Sequence, residues 1–185
     1  MNEKKGLVII GAGGHGRVCA DIALKMNKWN EIAFLDDDPT IGHSMGIPII
    51  GSSREFGHYV ADYDIFVAIG HNRVRADIYA QLESHEANIP VLFHPKAVLG
   101  EGVSIGAGTV VMAGSVVNPC TKIGKGCTIN TGSTIDHDCV IEDYVHISPG
   151  VNVAGSVSVG ALTWLGIGSV VSNNLSITSG CTVGA

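Results

Sequence analysis

Charge is scarce in this sequence: Asp, Glu, Lys and Arg make up 15% of 185 residues, and aromatic rings only 5%. Acidic residues outnumber basic ones 17 to 11, for a formal net charge of −6. That balance leaves no basic footprint for a phosphate backbone, and so few rings exclude a base-stacking platform, so no nucleic-acid partner is expected. No apolar run approaches the roughly 20 residues of a membrane span. The start, Met1 to Lys5, runs straight into Gly6-Leu7-Val8-Ile9-Ile10 without the longer apolar core and cleavage site of a secretory signal. The five cysteines are odd in number and contain no CxxC pair, which reads as reduced thiols in a cytoplasmic protein. What is plentiful is apolar surface, at 45%, and glycine, at 25 residues. The first excludes intrinsic disorder; the second is about twice the average share.

The first ninety or so residues alternate strand and helix signals. Leu7 to Ile10, Glu31 to Leu35, Ile47 to Ile50, Asp64 to Ile69 and Val91 to Phe93 read as short strands, and Arg17 to Lys28 and Arg73 to Glu86 as helices. Strands separated by helices argue for a small parallel α/β sheet, and residues 1–93 are taken as one Rossmann-like domain.

Residues 94–185 follow a different rule. Every sixth residue from Leu99 is aliphatic: Leu99, Ile105, Val111, Val117, Ile123, Ile129, Ile135, Ile141, Ile147, Val153, Val159, Leu165, Val171, Ile177 and Val183. Two positions before each stands a small or β-branched residue, Leu175 excepted. A fixed period of six is the mark of a parallel β-helix, with three hexads to a triangular coil and both residues pointing into the prism. Cys127, Cys139 and Cys181 fall on the smaller interior position and read as core filler. Trp164, next to an inward Leu165, reads as a packing or interface residue.

Two constellations carry chemistry. Gly11-Ala12-Gly13-Gly14-His15-Gly16 follows a strand and opens a helix, where backbone can approach a diphosphate and the helix N-terminus favours its charge. A NAD fingerprint asks for an acid about 20 residues further on, and Asp36 superficially supplies it. A domain this short lacks the second mononucleotide half, so a single nucleotide diphosphate fits better than an oxidoreductase's NAD. In the second constellation, His137 sits two residues past the inward Ile135, where a coil turns its corner, between Asp136 and Asp138. A neutral imidazole backed by a carboxylate suits proton removal from an attacking amine. His146 lies half a coil further on, so the two imidazoles of one chain occupy different faces and could meet only across a subunit boundary. The other histidines (His43, His58, His71, His85, His94) show no metal-ligand spacing, and no metal is expected.

The hexad array, the glycine turn, Phe34-Leu35-Asp36-Asp37 and Asn130…Asp136-His137-Asp138 together resemble the bacterial sugar acetyltransferases of the bacillosamine, perosamine and sialic acid pathways. The resemblance covers essentially the whole chain. It implies a left-handed β-helix and a homotrimer with active sites between subunits. It further implies acetyl-CoA as co-substrate and a UDP-linked amino sugar as acceptor. By the same resemblance His137 is the general base and Asp138 its partner, while Gly13, Gly14, His15, Asp36, Asp37 and Gly70 line the nucleotide-sugar pocket. Asn130 stands near the reacting amine, and His146, Gly155, Ile167 and Ala185 hold acetyl-CoA. Such relatives continue past the hexad that ends here at Ala185 with another coil or so and a tail, so a truncated C-terminal cap is expected. The expected reaction is direct N-acetylation of a UDP-linked 4-amino-4,6-dideoxy sugar. O-acetylation of sialic acid, N-acetylation of a GDP-amino sugar such as GDP-perosamine, and a non-catalytic nucleotide-sugar-binding scaffold are the alternatives.

Overall fold

The computed structural model describes residues 6–38, 40 and 42–185. Met1 to Lys5, read above against a secretory signal, and Pro39, at the end of the acidic run, lie outside the described residues. The chain divides into two compact units, with the boundary between Pro90 and Val91.

In the first unit, β1 (Gly6–Ile10) is buried at every residue, as a central strand of a parallel sheet covered on both faces must be. It is followed by α1 (Gly14–Met26), whose buried face is Gly16, Cys19, Ala20, Ile22 and Ala23. Helix α1 stops at Asn27, which takes the left-handed conformation at the C-cap and donates its N–H to the Leu24 carbonyl. Next come β2 (Glu31–Leu35), a hairpin of β3 (His43–Ser44) and β4 (Ile47–Pro48), and β5 (Tyr63–Val67), ahead of α2 (Asn72–Ser84). The sheet order is β2-β1-β5, all parallel. Strand β3 was not expected. Its pairing depends on a two-residue turn in which Met45 and Gly46 both take positive φ, the geometry that matches strand twist in tight hairpins. No described helix is long and apolar enough to cross a membrane.

The second unit is a three-sided parallel β-solenoid. Each expected hexad supplies a two-residue strand, and strands three hexads apart pair in register, as in Val98, Val116, Thr134, Asn152 and Val170. Two faces have five strands; the third, built on Val110–Val111, Thr128–Ile129, His146–Ile147, Trp164–Leu165 and Thr182–Val183, has a sixth. That sixth strand is β6 (Leu92–Phe93), which pairs with Val110–Val111. Val91 to Phe93, expected to close the first domain, thus starts the solenoid. A two-residue strand has too few side chains for its sequence to say which sheet it joins.

The aliphatic ladder fills the prism and is buried through its middle coils, each fully buried side chain contributing about 1.5–3 kcal/mol relative to exposure. The smaller interior residues do more than fill space. Thr109, Ser115, Thr121 and Thr163 donate their hydroxyls to carbonyls of a later corner, at 2.7–3.0 Å. The thiols of Cys127 and Cys139 do the same to Glu142 and Ala154. From Gly102 to Gly180 each corner also has one residue in the left-handed region: glycine at most of them, and Cys120, Asp138 (φ +57°), Tyr144, Ser156, Leu162 and Asn174 at the others.

Candidate active site

Asp136, His137 and Asp138 follow the strand Thr134–Ile135 and form the corner between the first and second faces of the solenoid. His137 Nδ1 lies 2.8 Å from Asp138 Oδ2, and the ring is 56% exposed. Asp138 takes the left-handed backbone conformation that Cys120, Tyr144, Ser156, Leu162 and Asn174 take at the equivalent corner position, so that conformation belongs to the repeat and the carboxylate next to the ring is what is particular here. Asp136 Oδ1 accepts the His137 N–H at 2.9 Å and the side-chain amide of Asn118 at 2.8 Å. The Asn118 hydrogen bond, more than any other influence, holds the Asp136 carboxyl below its usual range. Asp138's hydrogen bond, followed by Asp136's charge, raises the His137 imidazole above its ordinary value of 6.5. The result is a tautomer fixed by Asp138, with Nε2 left to accept a proton. A shallow hollow of about 240 Å³ adjoins the corner, and Asn118, Asp136, Asn152, Val153, Ala154 and Val171 are among the residues that line it.

Asn118 belongs to no motif of the sequence, although it stands one coil before Asp136 and could have been found by that interval. The same interval places Gly155 directly beneath the His137 ring. It also puts Trp164 beside His146, with the two rings stacked 4.1 Å apart and nearly parallel. Trp164 therefore packs, as expected, but on the histidine rather than among aliphatics.

The expected site residues of the solenoid separate into two groups. His137, Asp138 and Gly155 share one corner. Asn130, Ile167 and Ala185 belong to the corner between the third and first faces, and His146 is on the third face, 6% exposed. Asn130 Oδ1 accepts the Thr131 N–H, and its carbonyl takes hydroxyls from Ser115 and Ser133. A single chain does not bring the two groups together.

In the first unit, the carboxyl ends of β1 and β5 abut, since a Cβ on Gly11 would approach Ile69 and the Ala68 carbonyl. Gly11 (φ +100°) and Gly16, where a Cβ would collide with the Gly11 carbonyl oxygen, are glycines the fold itself demands. Gly13 and Gly14 differ: neither has positive φ, and no atom lies within 4 Å of an added Cβ. Their bareness faces outward, at the N-terminus of α1. Burial, helped by the Arg75 charge, lowers the partly buried His15 to about 4, so the ring is neutral and not a cation for phosphate. Arg75, itself 1% exposed, donates to the carbonyls of Ile69 and Gly70 and fixes the turn after β5.

Asp36 and Asp37 are already engaged. Asp36 accepts the N–H of Ala12 at 2.6 Å and of Asp38 at 2.9 Å, and Asp37 accepts both the N–H and the hydroxyl of Ser53 at 2.8 Å. Both border a hollow of about 380 Å³ with Gly42, Ile49 and Gly51. The remaining histidines have local partners where these are seen: His71 caps α2, His94 Nδ1 accepts the Lys96 N–H, and His85 packs edge-on against Phe56. Among the described residues, no three His, Cys, Asp or Glu side chains are grouped to hold a metal ion.

A solenoid of hexads with a carboxylate-backed histidine on its corner, preceded by a small parallel α/β unit with a glycine turn, defines a hexapeptide-repeat acyltransferase. The family model of the PglD N-terminal domain matches residues 6–82, and that of the bacterial transferase hexapeptide (six repeats) matches residues 120–155. The acetyltransferase domain of PglB from Neisseria gonorrhoeae, solved in complex with acetyl coenzyme A, is 38% identical with a TM-score of 0.95, over 98% of this chain and 89% of that one. PerB from Caulobacter crescentus, solved with CoA and GDP-perosamine, is 34% identical with a TM-score of 0.91, over 97% and 86%. WeeI from Acinetobacter baumannii is 27% identical with a TM-score of 0.89, over 96% and 88%. The chain belongs to the hexapeptide-repeat sugar acetyltransferases, and its solenoid is a left-handed β-helix.

Proposed function

We propose that this protein transfers the acetyl group of acetyl-CoA to the amino group of a UDP-linked 4-amino-4,6-dideoxy sugar, with His137 as general base. The observation that carries the reading is the 2.8 Å contact between His137 Nδ1 and Asp138 on an exposed corner. The sugar amine attacks the thioester carbonyl, and as the C–N bond forms its proton passes to His137 Nε2. The C–S bond then breaks and CoA leaves as a thiolate, which takes the proton back from the imidazolium. Transfer is direct. Cys139, the nearest thiol in sequence, donates into the prism to the Ala154 carbonyl, and burial pushes it up, away from the reactive thiolate.

Acetyl-CoA as donor is supported by the PglB and PerB complexes. We assign it to His146, Gly155, Ile167 and Ala185, with Asn130 near the amine. These residues, Gly155 excepted, stand apart from His137 in one chain, which supports a homotrimer whose neighbouring subunits complete each site. We assign the nucleotide to Gly13, Gly14, His15 and Gly70, where two loops converge at the strand ends. Asp36 and Asp37 border it as acceptors already tied to the protein. A GDP-linked amino sugar is the second reading, favoured by the likeness to PerB with its GDP-perosamine. The reaction belongs in the cytoplasm, where acetyl-CoA and nucleotide sugars are made.

The test is thiol release from acetyl-CoA with a UDP-4-amino sugar, a GDP-4-amino sugar or free sialic acid. Release with the UDP sugar is the expected result, and release with another acceptor alone would replace the substrate. A folded protein that binds CoA and releases no thiol with any of them would overturn the acceptor class. Sedimentation as a monomer at micromolar concentration would overturn the shared site.

A further inference from the structure

Gly155 occupies the corner position just before a left-handed residue, Ser156. Taken once per hexad from Glu101 to Ala185, that position carries a side chain everywhere except here. The backbone does not require the exception, because Gly155 is not itself in the left-handed region. The reason lies one coil above. A Cβ added to Gly155 would stand 2.7 Å from His137 Nε2, 2.8 Å from Cε1 and 3.2 Å from Cδ2, and these ring atoms are its three nearest neighbours. The two coils are tied by the Ser156 N–H to the His137 carbonyl at 2.9 Å, and the Asn174 N–H holds the Gly155 carbonyl from the next coil at 3.1 Å. A methyl group here meets a half-exposed side chain on one side and hydrogen-bonded backbone on the other. The ring is the part that can yield.

We propose that Gly155 is a positioning residue for the base: by leaving the coil beneath bare, it lets the His137 ring lie across it while Nδ1 stays on Asp138. The ring is then held by Asp138 at Nδ1, by the Gly155 backbone beneath it, and at its own backbone by Asp136, which Asn118 steadies. This inference rests on the reading of His137 as base, but the seat itself is a matter of sterics and can be tested apart from catalysis.

The experiment is a double-mutant cycle of Gly155→Ala and His137→Ala, read by thermal melting, with imidazole titration by NMR and steady-state kinetics of the single variants. Contacting residues couple in such a cycle, whereas independent ones add. Gly155→Ala alone is expected to lower the melting temperature, and to have no such effect once the His137 ring is gone. In the single variant the His137 titration should move down toward its ordinary value as the Asp138 contact loosens. Its kcat should fall at least about tenfold, with a smaller change in KM for acetyl-CoA, as expected for a misplaced catalytic group. Equal destabilisation in both backgrounds, or an unmoved titration, would overturn the proposal. If Gly155→Ala does not fold, folding of the double variant supports the seat and its failure overturns it. A moved titration with undiminished kcat would uphold the seat and instead sink the reading of His137 as base.

Discussion

The two units use glycine and buried polar groups in opposite ways. In the solenoid, a residue's surroundings follow from its place in a coil of three hexads: the side chain stacked on another is found by adding or subtracting one coil, as for Asn118 and Asp136 or His146 and Trp164. In the α/β unit they follow from loop paths that no period describes. Gly155 and Gly16 show the difference. Both are places where a Cβ would collide, but the neighbour of Gly155 is His137, a full coil away, while that of Gly16 is the Gly11 carbonyl in its own turn. A repeat makes a departure from its rule easy to see, and Gly155, bare where every other hexad from Glu101 to Ala185 carries a side chain, is such a departure. In the α/β unit no such rule exists to depart from, and Gly13 and Gly14 are bare although neither packing nor a positive φ asks for it.

That contrast can be broken by substitution, beginning with the core. Ile141 is buried in the middle of the ladder and Ile177 only partly buried near its end. Ile141→Ala should cost about 2–5 kcal/mol in urea unfolding, the usual range for such a deletion, and Ile177→Ala clearly less. Equal costs would mean that the coils do not share one graded core. The glycine turn provides the next test. Gly16→Ala should destabilise the first unit by about 3 kcal/mol, the upper part of the range for overpacking. Gly13→Ala should leave the melting temperature unchanged and raise KM for the nucleotide sugar. Destabilisation by both would erase the distinction between glycines of the fold and glycines of the site.

The third test sharpens the corner. Asp138→Asn removes the main influence that raises His137, so the imidazole becomes neutral at lower pH. The acid limb of the kcat/KM profile should therefore move to lower pH, while the plateau falls about tenfold as the base weakens. A limb that stays in place would detach Asp138 from the base.

Much of this was legible in the sequence, for reasons that differ between the units. The hexad aliphatics announce the solenoid because each inward position faces the same crowding. His137 and Asp138 stand out as charge at a corner. Asn118 and the His146–Trp164 stack were equally available through the one-coil interval, but neither residue type announces itself as part of a pair. In the α/β unit, β1, β2 and β5 show as apolar runs. Strand β4 shows within the apolar Ile47–Ile50, but β3 and its hairpin pairing do not, because they depend on a positive φ at Met45 that no apolar pattern signals. Asp36 and Asp37 read as ligand acceptors because an acid after β2 is what a nucleotide site needs. Their bonds to Ala12, Asp38 and Ser53 depend on loop geometry that residue type does not encode.

The measurement that bears most directly on the account is thiol release from acetyl-CoA with the proposed UDP-4-amino sugar acceptor, comparing the wild-type protein with His137→Ala, both verified as folded. The His137 ring is exposed and outside the core, so the substitution should leave folding intact and lower kcat by about a hundredfold or more, as for a lost general base. Equal rates from the two proteins would contradict the assignment of this corner as the catalytic centre.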